Sequence, residues 1–485
     1  MQAASRSSAR REETLLRNLI VVTGVGWSLA FAAVALIYEL QLYADGAMFS
    51  YAVAVQDVWA FHWHNIATRM TVFFLTLWPA ETFVGLTGRP YAGIVVYGFL
   101  FNVAPLIGLG LTFIADRSHT RAIFVFACAS TALLCPLVFG FPTEMWMAHA
   151  LFWPTLALAH YAHRGIVGAA ALSIAVVALV LSHAGGIVLA FVIVATLGLH
   201  GVRDPLFVRG AISLLVALIV WIIVKMTYPP DDYFADVLVR AGLKFFDPAI
   251  FQINLVVLLI AVLAGYSLLF FALTRVMNAD TALLVAIAVT AIALLIYWLL
   301  FDQGIHASNR YYLRTVLVVI TPVFGVLSAF YAMRADSAPP EFLGLPKIAK
   351  HLSSATAIHA YIGAIILVTA IHVVQTAKFV TDWTAYKAAI RALALGSASD
   401  PALGDPRFVS SQRISPKLNQ LSWFSTVEYL SIIVSDFKPE RIVVDPAGNY
   451  FWLSCQTAME NAKGTRSVPE PARDLIRIYS CLHRR

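Results

Sequence analysis

From Leu19 to Phe379 the chain is an almost unbroken series of apolar stretches, each long enough to cross about 30 Å of hydrocarbon. A segment in hydrocarbon must satisfy its backbone hydrogen bonds internally, so this text restricts the chain to packed membrane helices. Composition agrees: 60% of residues are hydrophobic and 13% charged, whereas a soluble surface needs about a quarter charged residues. Only 380–485 reads as ordinary soluble sequence. Two domains are expected, a membrane domain over 1–379 and a small C-terminal domain over 380–485.

Hydropathy places spans at 19–40, 91–115, 122–140, 145–162, 165–182, 184–201, 210–227, 251–274, 281–301, 311–333 and 355–378, eleven crossings in all. Arg6, Arg10, Arg11 and Arg17 precede a first apolar run of full span length with no small-residue cleavage site behind it, so that span is expected to be retained with a cytoplasmic N-terminus. Inside loops then carry Arg117 and Arg121, Arg164, Arg203 and Arg209, Arg275, and Arg334 with Lys347 and Lys350, as the positive-inside rule requires. The net charge of +7 is spread over these loops rather than gathered into one patch with aromatics, which argues against nucleic acid.

The stretch 70–88 is apolar enough to span but contains Pro79 and Glu81, and is read as an interfacial or re-entrant helix. In 46–61, Met48, Tyr51, Val55, Val58 and Trp59 recur at helical spacing, as in a helix lying in the interface. The expected fold is therefore an all-α polytopic membrane protein with interfacial helices in its first outer loop, followed by a small α+β domain that crossing parity puts outside. That domain holds Cys455 and Cys481, which an oxidising compartment would allow to pair. Cys128 and Cys135 share one span and are expected to be free thiols.

In this topology acids and bases gather at the outer face. Asp45 stands where the first span ends, in Tyr43-Ala44-Asp45-Gly46-Ala47-Met48-Phe49, and a carboxylate there can act as a general base on a lipid-linked substrate. Glu144 follows Phe141-Pro142-Thr143, either as a second functional acid or as a helix-start acid favoured by the dipole. Arg69, Lys225, Arg240, Lys244, His306, Arg310 and Arg314 are candidates for binding phosphate. The i, i+4 spacing of Arg310 and Arg314 puts both on one helix face, for phosphate or for lipid head groups. His183, in Ser182-His183-Ala184-Gly185-Gly186, either contacts substrate or satisfies a tight turn.

No metal site is assigned: His62 and His64, two apart on a helix, point about 200° from each other and have no third ligand at metal-site spacing. His160 and His163 share a face beside Arg164 and are read as head-group anchors. The loop 228–250 mixes acids, aromatics and bases as a carbohydrate or lipid-phosphate cleft would, or as a solvated loop would.

A retained first span, an acid at its outer end, two interfacial helices, tightly joined later spans and a C-terminal outer domain together resemble the GT-C superfamily of membrane glycosyltransferases. Tyr43-Ala44-Asp45-Gly46-Ala47-Met48-Phe49-Ser50-Tyr51-Ala52 looks like that family's first-loop acidic motif. Asn309-Arg310-Tyr311-Tyr312-Leu313-Arg314, running into Thr321-Pro322, is similar to the segment that opens a late span in these enzymes. The resemblance implies an inverting transferase using a polyprenyl-phosphate sugar donor, with a glycan, lipid or protein acceptor, at the periplasmic face of a bacterial inner membrane. It also allows a divalent cation, but Gly46 stands where many relatives carry a second acid, so one ligand is missing and no cofactor is assigned. The competing readings are a transporter or flippase, which intramembrane charges or matching broken helices would favour, an oligosaccharide polymerase or ligase, and an assembly protein without catalysis.

Overall fold

The structure, a computed structural model, describes residues 2–54, 56, 67–134, 144–162, 165–228, 254–302, 310–336, 354–396, 408–423 and 426–445. The chain is mostly helical. Its helices are α1 (Gln2–Ile37), α2 (Asp45–Ala54), α3 (Met70–Thr87), α4 (Pro90–Ala115), α5 (Ala122–Leu134), α6 (Glu144–Tyr161), α7 (Ile166–Val180), α8 (Ala184–Leu197) and α9 (Pro205–Thr227). They continue with α10 (Asn254–Leu273), α11 (Ala279–Leu300), α12 (Arg310–Asp336) and α13 (Ala355–Leu395), and the tail adds α14 (Pro416–Asn419) and α15 (Val427–Val434).

Helices occupy the described parts of the expected spans, and among the described residues six are long and apolar enough to cross a membrane. Large side chains such as Leu284, Ile292, Leu295 and Leu299 on α11 and Ile219 and Ile223 on α9 face outward uncovered. Only a hydrocarbon solvent makes such faces stable, so this is a membrane-embedded protein.

Helices in lipid gain little from burying apolar area against one another and associate through close packing at small residues. Two contacts carry that logic. A Cβ at Gly24 of α1 would come within 2.7 Å of Cys128 on α5, and one at Gly108 of α4 would lie 2.4 Å from the Ala150 carbonyl oxygen on α6. Cys128 is a free, buried thiol, as expected. Gly108→Ala should cost about 1–3 kcal/mol through overpacking. Gly110→Ala, where an added Cβ meets nothing within 4 Å, should be neutral or stabilising. Equal melting temperatures for the two variants in detergent would refute this account of the α4–α6 contact.

Helix α3 meets the length and apolarity of a span, although Pro79 and Glu81 argued for an interfacial helix. The fold accommodates both residues. A π-turn over Phe73–Leu77 precedes Trp78, so Pro79 falls in the opening turn of a new α-segment, where a missing N–H is tolerated. Glu81 is buried in protein and does not face lipid. The start of α3 is tied to the α7–α8 turn by the Thr71 amide, which donates to the Leu181 carbonyl at 3.1 Å. Ala80 and Val84 pack on Gly93, in the first turns of α4.

The last apolar helix does not end at the expected domain boundary. α13 runs for 41 residues, about 60 Å at 1.5 Å per residue, twice the hydrocarbon thickness. Its lower half lies beside α1, with His372 stacked on Trp27, and beyond Phe379 it continues as the support on which the tail is built. The Arg441 amide donates to the Ala394 carbonyl at 3.0 Å and the Arg441 guanidinium to the Gly396 carbonyl at 3.2 Å. Strands β1 (Phe408–Ser410) and β2 (Ile442–Val444) pair in parallel, Phe408 opposite Ile442, and the Ser431 hydroxyl accepts the Val443 amide at 3.2 Å. Cys135, Cys455 and Cys481 lie outside the described residues.

Helix α15 docks the tail on α2 through Tyr429, whose ring centre is 4.9 Å from that of Tyr51. Beside it Glu428 is fully buried, and that burial, reinforced by the charge of Asp445, pushes its pKa up to about 8 from 4.5. The folded chain therefore keeps a proton that the unfolded chain releases. Its contribution to stability is complete below about pH 4.5 and is lost as pH rises through about 8, with a slope of at most about 1.4 kcal/mol per pH unit. Thermal unfolding followed over that window should show the tail weakening in the wild type and a flatter profile in Glu428→Gln. Parallel profiles would show that Glu428 does not hold the proton.

Candidate functional site

Asp45 is positioned by an unusual reversal of the chain. After α1 ends at Ile37, Glu39 and Ala44 both adopt left-handed backbone conformations, with φ of 59° and 52°, each costing about 1 kcal/mol or more for a residue that is not glycine. The long helix α13 holds this turn in place. Trp383 Nε1 donates to the Tyr38 carbonyl at 3.1 Å, Lys387 Nζ donates to the same oxygen at 2.9 Å, and Lys387 also pairs with the Glu39 carboxylate. Tyr43 is wedged edge-on between Phe379 and Trp383, ring centres 5.0 and 5.5 Å away. Asp45 then opens α2, half-buried, in the first turn where the helix dipole favours a carboxylate.

Glu144 opens α6 and is only 1% exposed. Its Oε1 accepts from the Arg69 guanidinium, itself buried at the end of a short 3-10 turn before α3. A plain helix-start acid would face water, so the pairing with a residue 75 positions away marks Glu144 as part of a built cluster. Tyr97 of α4, 1% exposed, lies near enough to both acids for the charges of Glu144 and Asp45 to act on its phenol. The structure thus brings Asp45, Arg69 and Glu144 to one end of the bundle.

His183 is at the same end. Its Nδ1 accepts the Gly185 amide at 3.0 Å, capping α8, and a Cβ on Gly185 would meet Met145 of α6 and Val318 of α12. The tight-turn role of His183 is therefore satisfied, and the α7–α8 turn packs against the first turns of α6 and α12. Arg310 and Arg314 stand in the opening turns of α12, with Arg314 one turn before Val318, so the backbone brings this basic pair to the same end. Lys225, in the last turn of α9, lies with Nζ 4.8 Å from the Trp221 ring centre. Arg240, Lys244, His306, His62, His64 and the loop 229–250 lie outside the described residues.

Reading the sequence missed several polar contacts. Asp302, buried at the end of α11, receives Lys378 Nζ at 2.7 Å on its carboxylate and 2.6 Å on its carbonyl, and Gln375 Nε2 at 3.1 Å. This fixes the chain just before the segment that leads to Arg310. At the other end of α6, His160 does not face head groups: it is buried, with Nδ1 3.1 Å from His200 Nε2 and Nε2 3.0 Å from the Thr196 hydroxyl. A partner on α8 satisfies it more fully than an interface would. Little more than a turn along α6 from Glu144, His149 is sandwiched between the Thr131 and Thr321 hydroxyls, at 3.1 and 2.9 Å, joining α6 to α5 and α12. Among the described residues no three or more His, Cys, Asp or Glu side chains converge as metal ligands would.

Fold and site together define a multi-helical membrane-embedded protein with acid and base buried at one end of its bundle. No family model matches the chain, and no curated protein matches it in sequence.

Proposed function

We propose that this protein is a GT-C-type inverting glycosyltransferase that moves a sugar from a polyprenyl-phosphate donor to a glycan, lipid or protein acceptor at the periplasmic face of a bacterial inner membrane. In that reading about eleven spans form the membrane domain, α2 lies in the first outer loop, α3 is a re-entrant helix of that loop despite having the length and apolarity of a span, and the tail is a small periplasmic α+β domain. The observation that carries the proposal is the convergence of Asp45 with the Arg69–Glu144 pair around Tyr97, where the first apolar helix ends. Such a reaction needs one base to take the proton of the attacking hydroxyl and cations to stabilise the departing lipid phosphate. Asp45 supplies the base. Arg310 and Arg314, at the start of α12, are the cations assigned to phosphate, and Arg69 orients Glu144.

The test is sugar transfer from a pool of polyprenyl-phosphate sugars by the purified full-length protein. Donor turnover, to an acceptor or slowly to water, supports the reading; no turnover and no donor-dependent thermal stabilisation would end it. A transporter is the second reading, favoured by the His149–Thr131–Thr321 node buried among the helices. Uptake of the same donors into proteoliposomes, without turnover, would support that alternative.

A further inference from the structure

Three buried polar atoms around Tyr97 have no hydrogen-bond partner among the described residues: the Tyr97 hydroxyl, Glu144 Oε2 and Gln41 Oε1. All three residues are at most 2% exposed, and each unsatisfied buried group costs about 1–3 kcal/mol. Native proteins leave few such groups, and a cluster of them marks a place where a ligand or an ordered water completes the bonding.

The three residues come from separate parts of the chain and converge on the first turns of α4. Gln41 lies in the reversal after α1, against Gly98: a Cβ there would sit 2.6 Å from Gln41 Cδ, so the glycine lets the amide lie beside the residue next to Tyr97. Glu144 keeps its other oxygen on Arg69, which fixes the carboxylate and leaves Oε2 as a preset acceptor. The Tyr97 ring is held by Phe49 and Phe101, with centres 6.5 and 6.0 Å away. The phenol lies within reach of the Glu144 charge, and no hydrogen bond joins the two.

We propose that the Tyr97 hydroxyl, Glu144 Oε2 and Gln41 Oε1 form a subsite for an alcohol, seating the hydroxyl of a polyol acceptor beside Asp45. This rests on the transferase reading and deepens it by naming the chemical class of the acceptor. A hydroxyl donates once and accepts twice, so the attacking hydroxyl can accept from the Tyr97 phenol and present its one proton to Asp45, while neighbouring hydroxyls of the polyol donate to Glu144 Oε2 and Gln41 Oε1. Asp45, half-buried at the start of α2, takes that proton as the oxygen bonds to the anomeric carbon of the donor and the bond from that carbon to the phosphate oxygen breaks, releasing the polyprenyl phosphate.

The experiment compares wild type, Tyr97→Phe and Asp45→Asn in the full-length protein, with polyprenyl-phosphate sugars as donors and n-octyl glucoside as the alcohol. Tyr97→Phe removes one oxygen and keeps the ring. The expected result is an acceptor KM raised about tenfold, the effect of one lost hydrogen bond, with donor KM and melting temperature unchanged. If wild type turns donor over only to water, the same variant should lower that hydrolysis about tenfold, because water then occupies the subsite. An unchanged acceptor KM or hydrolysis rate in Tyr97→Phe, alongside an inactive Asp45→Asn, overturns the subsite and leaves the transferase reading standing. A fall in melting temperature with both KM values moving together also overturns it, since the hydroxyl would then be structural. Full activity in Asp45→Asn would instead bring down the transferase reading itself.

Discussion

Asp45→Asn is expected to lower the turnover of donor by about a thousandfold while leaving donor binding and the folded state intact. A positioned general base contributes about 10²–10⁴ to a rate, and asparagine keeps the shape of the side chain but cannot take the proton. The fold makes this substitution a clean probe. Asp45 is half-buried in the first turn of α2, where losing its charge forfeits a dipole interaction of at most about 1 kcal/mol, and the turn before it is secured by Trp383 and Lys387 acting on Tyr38 and Glu39, which the change does not touch. Melting temperature and donor-dependent stabilisation should stay close to wild type. A variant keeping more than about a tenth of wild-type turnover would remove Asp45 from the role of base, because the smallest contribution expected of such a group is about a hundredfold.

The largest loss of stability should come from Arg69→Ala. Its partner Glu144 is 1% exposed, and removing one member of a buried ion pair leaves the other charge uncompensated, at about 3–5 kcal/mol. The reverse change should be milder, because the Arg69 side chain keeps 11% of its surface exposed and reaches water more readily than Glu144 does. Neutralising both, as in Arg69→Met with Glu144→Gln, should recover much of the loss, since no charge is then stranded. Thermal unfolding of the single and double variants measures this directly. If the double variant is no more stable than Arg69→Ala alone, the two side chains do not act as a pair.

Much of this architecture is written locally, and that part can be read from the chain. Apolar runs declare helices because hydrocarbon admits little else, and Asp45 declares itself by following one. The cluster around it is harder to read, because its members meet across long separations. Arg69 and Glu144 are 75 residues apart, and Tyr97 looks like any aromatic in an apolar span until its neighbours are known. His160 looked like an anchor because its partners, Thr196 and His200, lie a helical hairpin away. The continuation of α13 did leave a signal. Trp383, Tyr386, Ile390 and Ala394 recur at helical spacing and are all buried, but their polar neighbours made the stretch resemble the beginning of a soluble tail.

A helix of 41 residues is a stiff beam whose two ends cannot move independently. One end of α13 is embedded beside α1, and the other carries the tail through Arg441, while its middle grips the strained turn at Glu39 and Ala44. That turn sits at the fulcrum. A protein or glycan that tilts the tail by a few degrees would press on the backbone just ahead of Asp45 without coming near the carboxylate, and Lys387 would transmit the load. Cutting the beam with a proline at Ala392, a full turn beyond Lys387 but before the tail contact at Ala394, should leave the turn in place and uncouple it from whatever the tail engages.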